Sequence, residues 1–180
     1  MTGKVHKAAG IVFGVASIVV LSYFGDEHLA ITYNETLSTE IIEGIKFGDV
    51  VKNTIIVLAS WFGSILPDID HPTSTISKKF TLLSIPYRIL QFIFGKFKST
   101  KHFVGHRGIT HSLLFLSIPI IIGLFFVTNE WVVVGLFGLS IGILSHLVMD
   151  MLNPTGVPLL LPLSKHKFRL LPKKLCIKTK

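Results

Sequence analysis

Four apolar stretches, residues 8–24, 50–66, 111–127 and 131–152, leave this chain few ways to fold. A helix needs about 20 predominantly apolar residues to cross the hydrocarbon core of a bilayer, and each stretch comes close to that length. Within lipid a span must satisfy its own backbone hydrogen bonds. The expected fold is therefore all-α: a polytopic membrane protein of about four transmembrane helices, forming a single domain over residues 1–180. Composition agrees, since mean hydropathy is +0.64 and only 16% of residues are charged. The single cysteine, Cys176, excludes an intrachain disulfide and fits no cysteine-based zinc module.

The segments between the spans have distinct characters. The first apolar run ends at Val20–Gly25 without a small-x-small cleavage site, so an uncleaved span is expected. Residues 26–49 are polar and acidic, with a short helix expected around Thr39 to Phe47. Prolines bracket Pro67-Asp-Ile-Asp-His-Pro72, which predicts a turn closing the second span. Leu82 to Phe94 is too short to span and contains Pro86, Arg88 and Gln91, so an interfacial helix is expected there. Pro119 predicts a kink in the third span, and Thr128-Asn-Glu130 a tight turn into the fourth. Beyond Asn153-Pro-Thr-Gly156 and the apolar Val157–Leu163, residues 165–180 read as a basic tail.

Four spans place both termini on one face. All but two (Lys46 and Lys52) of the 18 lysines and arginines then fall on that face, in the N-terminus, the 73–110 segment and the tail. The positive-inside rule assigns it to the cytoplasm. Topogenic lysines account for the net charge of +8, so no specific nucleic-acid partner is expected; membrane lipid is.

Acids and histidines distribute the opposite way. Asp26, Glu27, Glu35, Glu40, Glu43, Asp49 and Glu130 belong to the far face, leaving Asp68, Asp70 and Asp150 for the basic one. His6 opens the first span, Asp68 and Asp70 close the second, His106 and His111 precede the third, and His146 and Asp150 close the fourth. His146 and Asp150 stand one helical turn apart on one face, where burial is costly unless the pair is bonded or holds a metal. Imidazole and carboxylate together suit zinc, manganese or iron, and the candidates outnumber one tetrahedral shell. Either two ions share the site, or one ion is accompanied by supporting and acid/base groups. His146 lies roughly 22 Å along the helix from Trp131, just beneath the cytoplasmic headgroups. His71 is either a further ligand or a turn cap. His102 is read as solvated or lipid-facing, and Arg107 as a phosphate clamp or a lipid anchor. Gly105 and Gly108 serve as turn residues, and Thr110 or Ser112 caps the third span.

His6, Leu66-Pro-Asp-Ile-Asp-His71, Gly105-His-Arg-Gly-Ile-Thr-His-Ser112, Ser145-His-Leu-Val-Met-Asp150 and the apolar Gly156–Ser164 segment together resemble the YdjM-type family of membrane-bound, metal-dependent hydrolases. The resemblance covers nearly the whole chain in order, and implies a helical inner-membrane protein with a metal site at the cytoplasmic end of the bundle. The pattern is more distantly similar to zinc-dependent phospholipase C, without the fuller ligand complement of those soluble enzymes. The expected activity is hydrolysis of a phosphoester on a lipid or lipid-linked headgroup. A divalent transition metal (zinc first, manganese or iron as alternatives, one or two ions) would be held by some of His6, Asp68, Asp70, His106, His111, His146 and Asp150. Asp70 is the expected general base, and Arg107 the residue offsetting developing charge. Two other classes compete. A divalent-metal transporter would place its ligands near the midplane, yet the central turns of the spans carry neither acid nor histidine. A non-enzymatic adaptor with a basic cytoplasmic face leaves the Asp/His clustering unexplained.

Overall fold

A computed structural model of the protein describes the backbone of residues 3–29, 41–97 and 100–177, and side chains within these outside 23–49 and 101. Its elements are α1 (Gly3–Leu29), α2 (Ile41–Gly63), a 3₁₀ turn (Leu66–Asp70), α3 (Thr75–Lys79), α4 (Thr81–Phe94), α5 (Lys101–Val104), a second 3₁₀ turn (Ile109–His111), α6 (Leu113–Phe125) and α7 (Glu130–Met151). The described residues form no strand, only an isolated bridge between Val157 and Phe168. Of the acidic segment assigned above to the far face, residues 30–40 lie outside the described residues.

Three helices are long and apolar enough to cross a membrane: Gly3–Ser22 of α1, Val50–Asp70 running from α2 into the first 3₁₀ turn, and α7. Two of them outrun their sequence boundaries. α1 begins at Gly3, which puts His6 inside the helix instead of ahead of it. α2 absorbs the short helix expected near residues 39–47 and is continuous with the second span. The third expected span is the one that shrinks. His111 is taken into a 3₁₀ turn, and Ser112 caps α6 by accepting from the Phe115 N–H at 3.4 Å. Thirteen residues of helix remain, about 20 Å against a hydrocarbon core of about 30 Å. Pro119 lies inside α6 and the helix continues through it.

The bundle is inside out relative to a soluble protein. Phe125 and Phe126 are 76% and 78% exposed, whereas His111 and His146 are 0% exposed. Ser60, Ser64, Ser140 and Ser145 are buried among α1, α2 and α7. An apolar exterior around a polar interior is what lipid, not water, selects. The three long helices approach closely because small residues line their seams. A Cβ at Gly138 would stand 2.6 Å from the Ile56 carbonyl oxygen, one at Gly142 would strike the Ser60 carbonyl, and one at Gly10 would lie 2.6 Å from Ser64 Cβ. Ser60 Oγ donates to the Gly10 carbonyl at 2.7 Å, tying α1 to α2. Small-xxx-small seams of this kind let helices pack without a hydrophobic driving force.

The two ends of the bundle differ. At one end Lys52 on α2 pairs with Glu130 on α7 at 3.1 Å and lies over Trp131. At the other, Lys7 lies over Trp61, and the first turn of α1 meets the last turns of α2 and α7. Here residues 153–177 fold back instead of trailing away as a basic tail. The Leu170 and Ile177 N–H groups donate to the carbonyls of Met151 and Leu152, satisfying the end of α7, and Leu113 N–H donates to Leu159 at the start of α6. Within the apolar Val157–Leu163 segment Val157 and Leu161 are buried, whereas Leu160 and Leu163 are exposed. α4 stands outside the bundle, with Leu82 and Phe92 exposed and Ser84 buried.

Candidate metal centre

Every segment singled out for its histidines or aspartates delivers them to the end of the bundle where Lys7 lies. His146 is fixed first. Its Nδ1 lies 2.7 Å from the Ser64 carbonyl oxygen, which can only accept, so Nδ1 carries the proton and Nε2 presents a lone pair. His111 is fixed from the other side. Thr110 donates its hydroxyl proton to Asp70 Oδ2 at 2.9 Å, and His111 Nδ1 lies 3.1 Å from that hydroxyl oxygen and 3.3 Å from Asp70 Oδ2. His111 Nδ1 is therefore a donor as well, and its Nε2 is bare.

The two bare Nε2 atoms face each other at 3.2 Å. Two acceptors cannot hydrogen-bond to one another, so a buried cation is the natural third partner. Asp68 Oδ1 lies 3.7 Å from His146 Nε2 and 3.9 Å from His111 Nε2; Asp150 Oδ2 lies 3.9 and 3.7 Å from the same atoms. Ligands about 2.0–2.1 Å from a tetrahedral ion are separated by roughly 3.3 Å, so each carboxylate oxygen lies about half an ångström beyond such spacing from the two nitrogens. The donor set fits a transition metal. Ligand atoms of His6, Asp68 and His146 also lie within 4.8 Å of one another, as do those of His111, His146 and Asp150; both groups draw on His146.

The remaining predicted residues surround these atoms. His6 stacks on His146 with ring centroids 3.9 Å apart and reaches Asp150 Oδ1 with Nε2 at 3.5 Å, while its buried Nδ1 finds no partner among the described residues. Asp70 is saturated: Oδ1 meets His106 Nδ1 at 3.0 Å, and Oδ2 accepts from the Arg107 N–H and from Thr110. Its hydrogen bond to the Asp70 carboxylate raises the pKa of His106 above its ordinary value. Arg107 has a left-handed φ of 59°, rare outside glycine, which turns its N–H toward Asp70. Its Nε lies 3.1 Å from Asp150 Oδ2, an ion pair without hydrogen-bond alignment, and its Nη1 bonds Thr155. Arg107 is thus engaged within the protein, not left free as a lipid anchor. His71 accepts from Thr73 N–H at 3.3 Å, as a turn cap would, and also lines the cavity. His102 lies against Phe103 with its ring tilted and its Nε2 buried, so it is not fully solvated.

Four contributors escaped the sequence reading. The Ser64 carbonyl and the Thr110 hydroxyl set the histidine tautomers. Asn153 donates to Asp150 Oδ1 at 2.9 Å, and Gln91 reaches from α4 to the backbone carbonyls of Asp70 and Val104, both at 2.8 Å. Only Thr110, inside the Gly105–Ser112 motif, and Asn153, three residues beyond Asp150, left a sequence signal. A cavity of 260 Å³ opens over the centre, walled by His6, Asp68, His71, Thr75, His106, Arg107 and Asp150 among others.

These features define a helical membrane protein whose polar interior gathers into a His/Asp cluster at one end of the bundle. The chain belongs to the family of YdjM inner membrane proteins, whose family profile matches residues 1–177. It is 37% identical over 110 residues to the inner membrane protein YdjM of Escherichia coli (strain K12), covering 59% of this chain and 48% of that one. It is 36% identical over 102 residues to the uncharacterized protein YvsG of Bacillus subtilis (strain 168), covering 56% and 52%. The chain thus spans about half the length of the curated relatives it matches. No solved structure matches significantly.

Proposed function

We propose that this protein is a membrane-bound, metal-dependent hydrolase that cleaves a phosphoester on a lipid or lipid-linked headgroup at the cytoplasmic face. The observation that carries the reading is the pair of bare imidazole nitrogens, His111 Nε2 and His146 Nε2, 3.2 Å apart and flanked by Asp68 and Asp150. These four side chains would hold one divalent transition ion, zinc being the best match to the set. One ion is proposed because both candidate ligand groups draw on His146, whose Nδ1 is already engaged with the Ser64 carbonyl. Such an ion supplies Lewis acidity and lowers the pKa of water, which places a nucleophile beside a phosphoryl group at neutral pH.

The chain's own residues do the rest. Asp70 and the Ser64 carbonyl hold the two imidazoles in register, the outer-shell role that tunes ligand basicity. With both oxygens already accepting, Asp70 is better placed as this orienter than as the general base. Arg107, locked onto Asp70 and Asp150, keeps positive charge in the cavity wall where phosphoryl charge would build. His71 accepts at Nδ1, so its neutral form carries its proton on Nε2 and can donate to a leaving oxygen. Substrate access from the inner leaflet is part of this reading: α6 is taken as a short fourth pass, and the lysine and arginine bias supports a cytoplasmic location for this end.

Element-resolved metal analysis and phosphoesterase assays on the full chain in lipid test the reading together. Wild type should carry a tightly bound transition metal and hydrolyse phosphoester lipids in a chelator-sensitive way. Asp150→Ala and His146→Ala should each lose at least about tenfold in metal affinity. Wild type purified without transition metal and without chelator-sensitive turnover would overturn it.

A further inference from the structure

A second cavity, of 200 Å³, shares two wall residues, His106 and Arg107, with the cavity over the His/Asp centre. Its remaining walls are His102, Gly105, Pro158, Leu161, Lys165 and Lys167, with no carboxylate among them. The first cavity contains Asp68 and Asp150, so the two differ in charge although they adjoin. Neither Lys165 nor Lys167 forms an ion pair among the described residues. Lys165 and Lys167 are both exposed, so each can turn its ammonium group toward this wall, where Arg107 adds a third positive charge. A cavity wall carrying three positive side chains and no carboxylate favours an anion.

We infer that this cavity is a phosphate-binding subsite, in which Lys165 and Lys167 hold a phosphate group beside the centre that His111 and His146 form. Ammonium donors give phosphate charge-assisted hydrogen bonds, and the volume admits one headgroup-sized group, not a nucleic-acid strand. Pro158 and Leu161 supply an apolar wall against which the ester side of such a group packs. The subsite rests on the hydrolase reading for its purpose, since it specifies a substrate with a second phosphate or a site that retains the phosphate product. Its existence does not depend on that reading.

The test is phosphate binding by the full chain in nanodiscs, with metal content measured on the same samples. Inorganic phosphate is titrated into wild type in phosphatidylcholine discs and in discs containing phosphatidic acid. Competition by phosphatidic acid assigns the bound group to a lipid; its absence assigns it to free phosphate. The double variant Lys165→Gln/Lys167→Gln should bind phosphate at least about tenfold more weakly with its metal content unchanged. Lys173→Gln/Lys174→Gln, which removes equal charge from exposed positions outside the cavity, should bind like wild type. Equal binding by wild type and the Lys165/Lys167 variant, equal weakening by both double variants, or no phosphate binding by wild type would overturn the subsite. A Lys165/Lys167-dependent phosphate site in a protein without chelator-sensitive turnover would keep the subsite and remove the hydrolase.

Discussion

At the scale of single residues, the centre is governed by which nitrogen of each histidine holds its proton. Thr110 shows how little chemistry that takes: one hydroxyl gives its proton to Asp70 and receives that of His111. Thr110→Val keeps the shape and removes the hydroxyl, leaving a buried carboxylate and imidazole short of a partner. It should cost about 1–3 kcal/mol of stability and roughly 10–100-fold in metal affinity, read by thermal unfolding and by competition with a chelating dye. His106 carries the pH dependence. Asp70 raises its pKa, so the pair's stabilisation is complete below the ordinary imidazole value near 6.5 and fades as pH rises through the raised value. The melting-temperature difference between wild type and His106→Gln should shrink across that interval; a difference independent of pH would refute the pairing. The sequence disclosed the identity of these histidines but not their tautomers, because a backbone carbonyl such as that of Ser64 has no signature in the residue alphabet.

At the scale of elements, the centre depends on how closely α1, α2 and α7 approach. Gly142 faces the Ser60 carbonyl, and a Cβ there would stand 2.8 Å from the backbone nitrogen of Ser64, the residue whose carbonyl orients His146. Gly142→Val should force the helices apart, destabilising the bundle by about 1–3 kcal/mol and releasing metal. Gly123→Ala is the control: its Cβ would meet Leu136 at 3.6 Å, an ordinary contact, so stability and metal content should hold. Both variants are read by thermal unfolding and by metal content. The seam was present in the sequence as Gly10, Gly14, Ser60, Ser64, Gly138 and Gly142. Four-residue spacing alone does not say which helix each small residue faces. The third span was over-read for a related reason. Thr110, His111 and Ser112 adjoin an apolar run, but their side chains are needed for the site and the cap, and the helix starts only after them.

At the scale of the whole molecule, the prediction is orientation. Lys52 and Glu130 mark one end of the bundle, and the His/Asp centre lies at the other. Thr128 sits in the short connection between α6 and α7, and Lys173 in the returning C-terminal segment. In a Cys176→Ser background, Thr128→Cys should react with a membrane-impermeant maleimide in intact cells whose outer membrane is permeable. Lys173→Cys should react only after the inner membrane is opened. The reverse pattern would put the centre outside the cytoplasm and remove the proposed access from the inner leaflet.

By itself the sequence determined that the chain is a helical membrane protein, and which histidines and aspartates share one end of it. Hydropathy, helix rise and charge bias are additive along a chain, so each can be read without knowing what packs against what. Tertiary structure alone decided that His111 and His146 meet nitrogen to nitrogen, that Asp70 stands behind them, that Arg107 is tied to Asp150, and that the tail closes α7. Those outcomes are set by distances of a few tenths of an ångström between segments far apart in sequence. Such distances arise from which small residues let the helices touch, a pairwise property that no single stretch of residues contains.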